Sequence, residues 1–238
     1  MAMNMTFDQN LFTQVGLDSG SLTMLGAVIH SFAEPGEYRG SVHQEGGEQA
    51  VFYISVDKDS SVAQADIDLA SLNKPGDPCC EDSQNRFTVN PKGYAVFHVT
   101  EGAGGYSVNV RRAVENRTEK VFNSQTLGEG DIFSAIILRP GTYSFTNTLN
   151  GVKGEVIVSY PGTGKVAYRP PAAVRVEVGP KQFEPRRVEL KPGQGMLFEC
   201  KAPSRIKIEL LKADDGPRSR KQVGRSGWKK NALPKTKA

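Results

Sequence analysis

Cysteine, histidine and carboxylate are the side chains able to hold a metal or do acid–base and nucleophilic chemistry, and this chain scatters them. Cys79 and Cys80 are adjacent and flanked by Asp77, Glu81 and Asp82; thiolates favour soft ions such as copper(I) and zinc. Neighbouring cysteines chelate one ion poorly, and no second Cys/His pair follows at zinc spacing, so the better reading is a loop with incidental thiols. Cys200 ends the apolar stretch from Met196 and reads as a small buried hydrophobe. His30, His43 and His98 are widely spread on or beside expected strands, and nothing in the spacing points to a catalytic triad.

Asp57-Lys58-Asp59-Ser60-Ser61 opens like a calcium loop with Asp68 at the twelfth position, but Val62 stands where such a loop needs glycine. Asp66 and Asp68 fit better as the wet face of a strand whose other face is Ala65, Ile67 and Leu69. Gly162-Thr163-Gly164-Lys165 lacks the spacing of a phosphate loop, and Val166 replaces the magnesium-binding hydroxyl. Asn116-Arg117-Thr118 is a glycosylation acceptor only in a secretory compartment, for which the sequence offers no sign. The expectation is no catalytic residue, no cofactor and no metal.

Charge is the remaining chemical signal. Of a formal +4, residues 212–238 hold nine Lys/Arg against Asp214 and Asp215, a local +7 that leaves −3 for the rest. Residues 213–238 read as a disordered basic tail, since too little of the segment is apolar to order it. Arg218, Arg220, Lys221, Arg225, Trp228, Lys229 and Lys230 are its candidate binding residues. The cations would meet nucleic-acid phosphates while Trp228 stacks on a base. The same tail suits an acidic protein face, including that of a second copy, or a purely solubilising role.

The elements that would carry these residues are strands. With 25 glycines, 14 prolines and 38% hydrophobic residues, the chain shows many short apolar or alternating stretches and few helical periods. They fall near 22–32, 38–43, 49–56, 64–70, 86–90, 94–100, 105–111, 131–138, 142–147, 154–160, 173–178, 187–190, 195–200 and 205–211, a rhythm suited to a sandwich or barrel. Residues 73–85 are too polar and Pro/Gly-rich to pair, and 161–172 read as a stiff linker and domain boundary. Residues 1–20 are left as an arm. No apolar run is long enough to span a membrane and no export signal is evident, so the expected location is cytoplasmic or intravirion, with reduced thiols.

Self-similarity narrows the architecture. Pro35-Gly36-Glu37-Tyr38 and Pro140-Gly141-Thr142-Tyr143 each precede an apolar strand, and Arg86 to Pro91 followed by Phe97 matches Arg187 to Pro192 followed by Phe198 without a gap. Gly130-Asp131-Ile132-Phe133 through Pro140-Gly141-Thr142-Tyr143 to Gly154-Glu155-Val156-Ile157-Val158 resembles the closing half of a cupredoxin, and Phe183-Glu184-Pro185 through Lys191-Pro192-Gly193 to Phe198 resembles the opening half. The resemblance implies a Greek-key β-sandwich, with copper held by a cysteine, histidines and usually a methionine around the strand after Pro-Gly-x-Tyr. Here Asn147 stands near the thiolate position, Asn150 near the histidine and Val152 near the methionine, so copper and electron transfer are not expected to carry over.

Because the closing half precedes the opening half, the expected arrangement is permuted. Residues 86–160 form one cupredoxin-like unit within a sandwich region 21–160, and 173–212 pack back onto the N-terminal strands. The expected fold class is all-β: one or two Greek-key sandwiches of cupredoxin-like type with the basic tail. The expected role is a non-enzymatic structural or protein-interaction module, with a protein partner or self-association and no membrane. The alternatives are a nucleic-acid-associated structural protein using the tail, and metal handling through Cys79, Cys80, Cys200 and the histidines.

Overall fold

The computed structural model describes residues 10–72, 85–114, 117–162 and 167–216. Within them a one-turn helix α1 (Asn10–Thr13) precedes seventeen strands. These are β1 (Gly16–Asp18), β2 (Gly26–Ser31), β3 (Gly36–Gln44), β4 (Gly47–Val56), β5 (Gln64–Asp68), β6 (Arg86–Val89), β7 (Tyr94–His98), β8 (Tyr106–Val114), β9 (Arg117–Asn123), β10 (Ile132–Ile136), β11 (Gly141–Asn147), β12 (Lys153–Val158), β13 (Val174–Val178), β14 (Phe183–Glu184), β15 (Arg187–Leu190), β16 (Gly195–Cys200) and β17 (Ile206–Ala213). The chain is all-β, and among the described residues no helix is long and apolar enough to cross a membrane.

Period-two alternation sets which side of each strand is buried. On β4 Ala50, Phe52, Ile54 and Val56 point inward, and on β16 Met196, Phe198 and Cys200 do. The strands form three sheets: β1-β17-β11-β12-β15, β14-β13-β16-β10-β2-β7-β5, and β6-β4-β3-β8-β9. The first five-stranded sheet packs on one half of the seven-stranded sheet, with Phe145 of β11 5.3 Å from Phe198 of β16 and 4.8 Å from Phe183 of β14 between ring centres. The other packs on the second half, where Phe97 of β7 lies 5.7 Å from Phe52 of β4 and stacks at 5.4 Å on Phe122 of β9. The buried apolar side chains join in a single core.

The two halves are copies in the same chain order. Antiparallel β3·β4, β2·β7 and β3·β8 recur as β11·β12, β10·β16 and β11·β17. Parallel β4·β6 and β5·β7 recur as β12·β15 and β13·β16. Antiparallel β2 and β10 join the copies, and Val28 pairs there with Phe133, its own counterpart, which puts a pseudo-two-fold axis between them. The repeated Pro-Gly-x-Tyr has one structural job in both. Tyr38 donates its hydroxyl to the Glu34 carbonyl at 2.6 Å and Tyr143 to that of Arg139 at 2.8 Å. The motif's glycine is needed as well: Gly141 has φ +155°, and a Cβ there would meet the Lys212 carbonyl at 2.5 Å.

Each copy lends its leading strand to the other. β1, ahead of the first copy, pairs with β17 of the second, and β9, ahead of the second, pairs with β8 of the first. Buried Ser19 and Ser124 fasten the two exchanges alike: the Ile206 amide donates to Ser19 Oγ at 3.1 Å, and the Val108 amide to Ser124 Oγ at 2.9 Å. Three residues on, Leu22 bridges to Tyr106 and Leu127 to Ser204 within their own copies.

The permuted order expected from the sequence is therefore corrected. β15 and β16 pair with β12, β13 and β10, not with β3 or β4, and residues 86–160 join the end of one copy to the start of the next. Of the strands after 172, only β17 reaches the N-terminal segment, through β1. Residues 161–162 and 167–172 fall within the second copy, between β12 and β13, where 57–63 connect β4 to β5 in the first. The chain passes between copies in the β8–β9 hairpin.

Candidate functional site

The position where the cupredoxin resemblance would place copper lies at the end of β11. Asn147 is fully buried and its amide is spent on the backbone around it. Nδ2 donates to Ser204 Oγ at 3.1 Å, and Oδ1 accepts from the amides of Leu149 at 3.2 Å and Arg205 at 3.1 Å. Asn150 is equally engaged, its Nδ2 donating to the Pro180 carbonyl and its Oδ1 accepting from the Val152 amide. In the first copy Val42, buried, takes the place of Asn147. A thiolate–imidazole donor set is not met in either copy, so the residues do not fit a copper site of that type.

His30 and Asp131 are neighbours across the β2–β10 joint. His30 Nδ1 lies 2.6 Å from Asp131 Oδ1, while Asp131 Oδ2 accepts from the Gly128 amide at 2.6 Å. The imidazole sits against Phe32 and Phe122, each 4.9 Å away between ring centres. Pseudo-symmetry puts Ala135 and Gly26 at the equivalent places, so the pair belongs to the first copy's side of the joint alone. Cys200, the cysteine among the described residues, is fully buried; burial first, then the nearby Asp131 and Glu199, push its thiol up to about 12. A thiol held protonated is a packing group, not a nucleophile.

The other sequence candidates stay apart. His43 Nε2 lies 3.1 Å from Ser41 Oγ. Asp57 caps its own turn by accepting from the Asp59 amide. Asp68 is opposite His98 on β7 and accepts from the Thr100 hydroxyl and the amides of Ala70 and Thr100. Among the described residues no three His, Cys, Asp or Glu side chains converge to hold a metal ion. Cys79 and Cys80 with Asp77, Glu81 and Asp82, residues 163–166, Asn116, and the tail candidates Arg218, Arg220, Lys221, Arg225, Trp228, Lys229 and Lys230 lie outside the described residues.

Two open depressions are polar. One of about 410 Å³ straddles the pseudo-two-fold and is lined by Gly20, Ser21, His43, Ser107, Gln125 and Arg205. Arg205 is committed there: Nε and Nη2 donate to the two carboxylate oxygens of Asp18 at 3.0 and 2.9 Å, and that hydrogen bonding raises the guanidinium above its ordinary value. The second, about 530 Å³, lies outside the β11–β12 turn with Lys153, Lys181 and Arg186 against Glu184. Both are open to solvent; the first also holds Glu45, and His43 there has the Ser41 hydroxyl beside it.

Sequence reasoning overlooked Ser19 and Ser124, although the signal was present: Leu17-Asp18-Ser19 with Leu22 and Phe122-Asn123-Ser124 with Leu127 stand at one constant offset. No family model matches the chain, and neither a curated protein nor a solved structure matches it.

Proposed function

We propose that this chain is a non-enzymatic interaction module built from two Greek-key β-sandwiches of cupredoxin-like type, fused by strand exchange and working without bound metal. The observation that carries the reading is Asn147: where the resemblance calls for a thiolate, the side chain is a buried bolt tying β11 to the residues before β17. The recurrent mixture of parallel and antiparallel pairs, two layers deep in each copy, supports the sandwich type. A rigid scaffold of this kind acts through its faces and edges. The rival reading, metal handling, has no support from Cys200, which is fully buried and belongs to no group of three His, Cys, Asp or Glu side chains among the described residues.

Elemental analysis after incubation with copper or zinc and desalting tests this, on the intact chain and on a Cys79→Ser/Cys80→Ser variant. The expected result is no stoichiometric metal on the variant. One equivalent retained by the variant, and lost on Cys200→Ser, would overturn the reading.

A further inference from the structure

The outer face of the β6-β4-β3-β8-β9 sheet carries a feature that none of these strands shows alone. Cross-strand register aligns Arg86, Tyr53, Arg39, Arg111 and Lys120 in one row, one residue from each strand. The four cations are exposed and Tyr53 is half-buried. Four steps of about 4.8 Å give the row a length of ~19 Å. Arg86 places its guanidinium 4.7 Å from the Tyr53 ring centre. Among the described residues Arg39 has an acidic partner, Glu48 at 3.9 Å, and no carboxylate pairs with Arg86, Arg111 or Lys120. Of the two neighbouring rows on the same face, Val51, Ser41, Asn109 and Asn123 are uncharged, and the other holds Glu37 with Ser55 and Thr88.

Like charges directly opposite one another on adjacent strands cost stability, so Arg39 beside Arg111 beside Lys120 is not what sheet formation selects. The second copy makes the point internally. Its equivalent row reads Arg187, Glu155, Ser144, Glu209 and Gly16, with Arg187 paired to Glu155 at 3.6 Å. The same fold with the same pairing thus does without three of the four cations and neutralises the one it keeps.

We propose that this row is a docking surface for single-stranded nucleic acid, which names the partner and the face of the interaction module inferred above and rests on that reading. Charge complementarity calls for a polyanion extended across the strands, and the stacked Arg86–Tyr53 pair supplies planar groups on which a base can lie. Arg39, Arg111 and Lys120 meet successive phosphates; binding is sequence-tolerant and weakens with salt as counterions are released.

The test uses the full chain and a short fluorescent oligouridylate, titrated over a salt series. Arg39→Glu/Arg111→Glu should weaken binding roughly tenfold or more and reduce the slope of log K against log salt by about 1.4, two single-strand contacts. Arg187→Glu/Lys207→Glu removes the same charge from the other copy and should leave affinity within about twofold. Tyr53→Ala should weaken binding without changing the slope. Equal losses in the two charge variants, as binding through the tail or through net charge alone would give, overturn the proposal. So does absence of binding at low salt, or equal affinity for a duplex or a polyglutamate peptide. Those failures remove this partner and face while leaving the metal analysis to decide the module reading.

Discussion

Phe52 lies flat against its cross-strand partner Gly40, so closely that a Cβ on Gly40 would sit 2.0 Å from the ring. In the second copy the pair is reversed: Phe145 is on β11 and Gly154 on β12, where a Cβ would lie 2.3 Å from Phe145. One aromatic fills each inter-sheet site from whichever strand carries it. Gly40→Ala is therefore expected to destabilise the protein by about 1–3 kcal/mol, because a fully buried ring has nowhere to move. Urea unfolding checks this; a variant as stable as the parent would show that the site has slack.

Ser124→Ala should cost about 1–3 kcal/mol, since the buried Val108 amide loses its acceptor, and Ser19→Ala should cost a similar amount through Ile206. Denaturant midpoints of the two single variants should fall together. A neutral effect at either serine would mean that the exchanged strands are held by the ladder alone.

Asp68 gives a pH dependence of known sign. Burial works to raise its pKa, but hydrogen bonds from Thr100 and Ala70, with His98 nearby, outweigh that and hold it below the ordinary value. A carboxylate with a depressed folded pKa adds stability above the unfolded value, ~4, which is lost as pH falls through the lower folded value. Asp68→Asn is expected to be less stable than the parent at neutral pH, with the gap closing in acid. A gap independent of pH would contradict the assignment.

Cys200 should resist alkylation in the native protein near neutral pH and react after denaturation, as a thiol pushed up to about 12 has almost no thiolate. Peptide mapping distinguishes it from Cys79 and Cys80. Rapid native labelling at Cys200 would show that its strand opens readily.

Strand rhythm made the all-β class and most strands legible from residues alone. The exchanged strands β1 and β9 escaped notice because Arg117, Thr118, Glu119 and Lys120 are all exposed, and β1 spans only Gly16 to Asp18. Their pairing partners come from the other copy, so no local apolar pattern is needed to hold them. Copy order was misread for a related reason: Arg187 to Phe198 matches Arg86 to Phe97, but strand rhythm does not say which hairpin a strand joins. The cationic row was invisible because Arg39, Tyr53, Arg86, Arg111 and Lys120 become neighbours only through register. The hydrogen bonds that use up Asn147 likewise needed the fold.

The account rests on two copies interlocked into a single scaffold through β1, β9 and the Val28–Phe133 joint. Differential scanning calorimetry of the intact chain tests this most directly. Interlocked copies should unfold in one transition with equal calorimetric and van't Hoff enthalpies. Two resolved transitions, one for each copy, would contradict it.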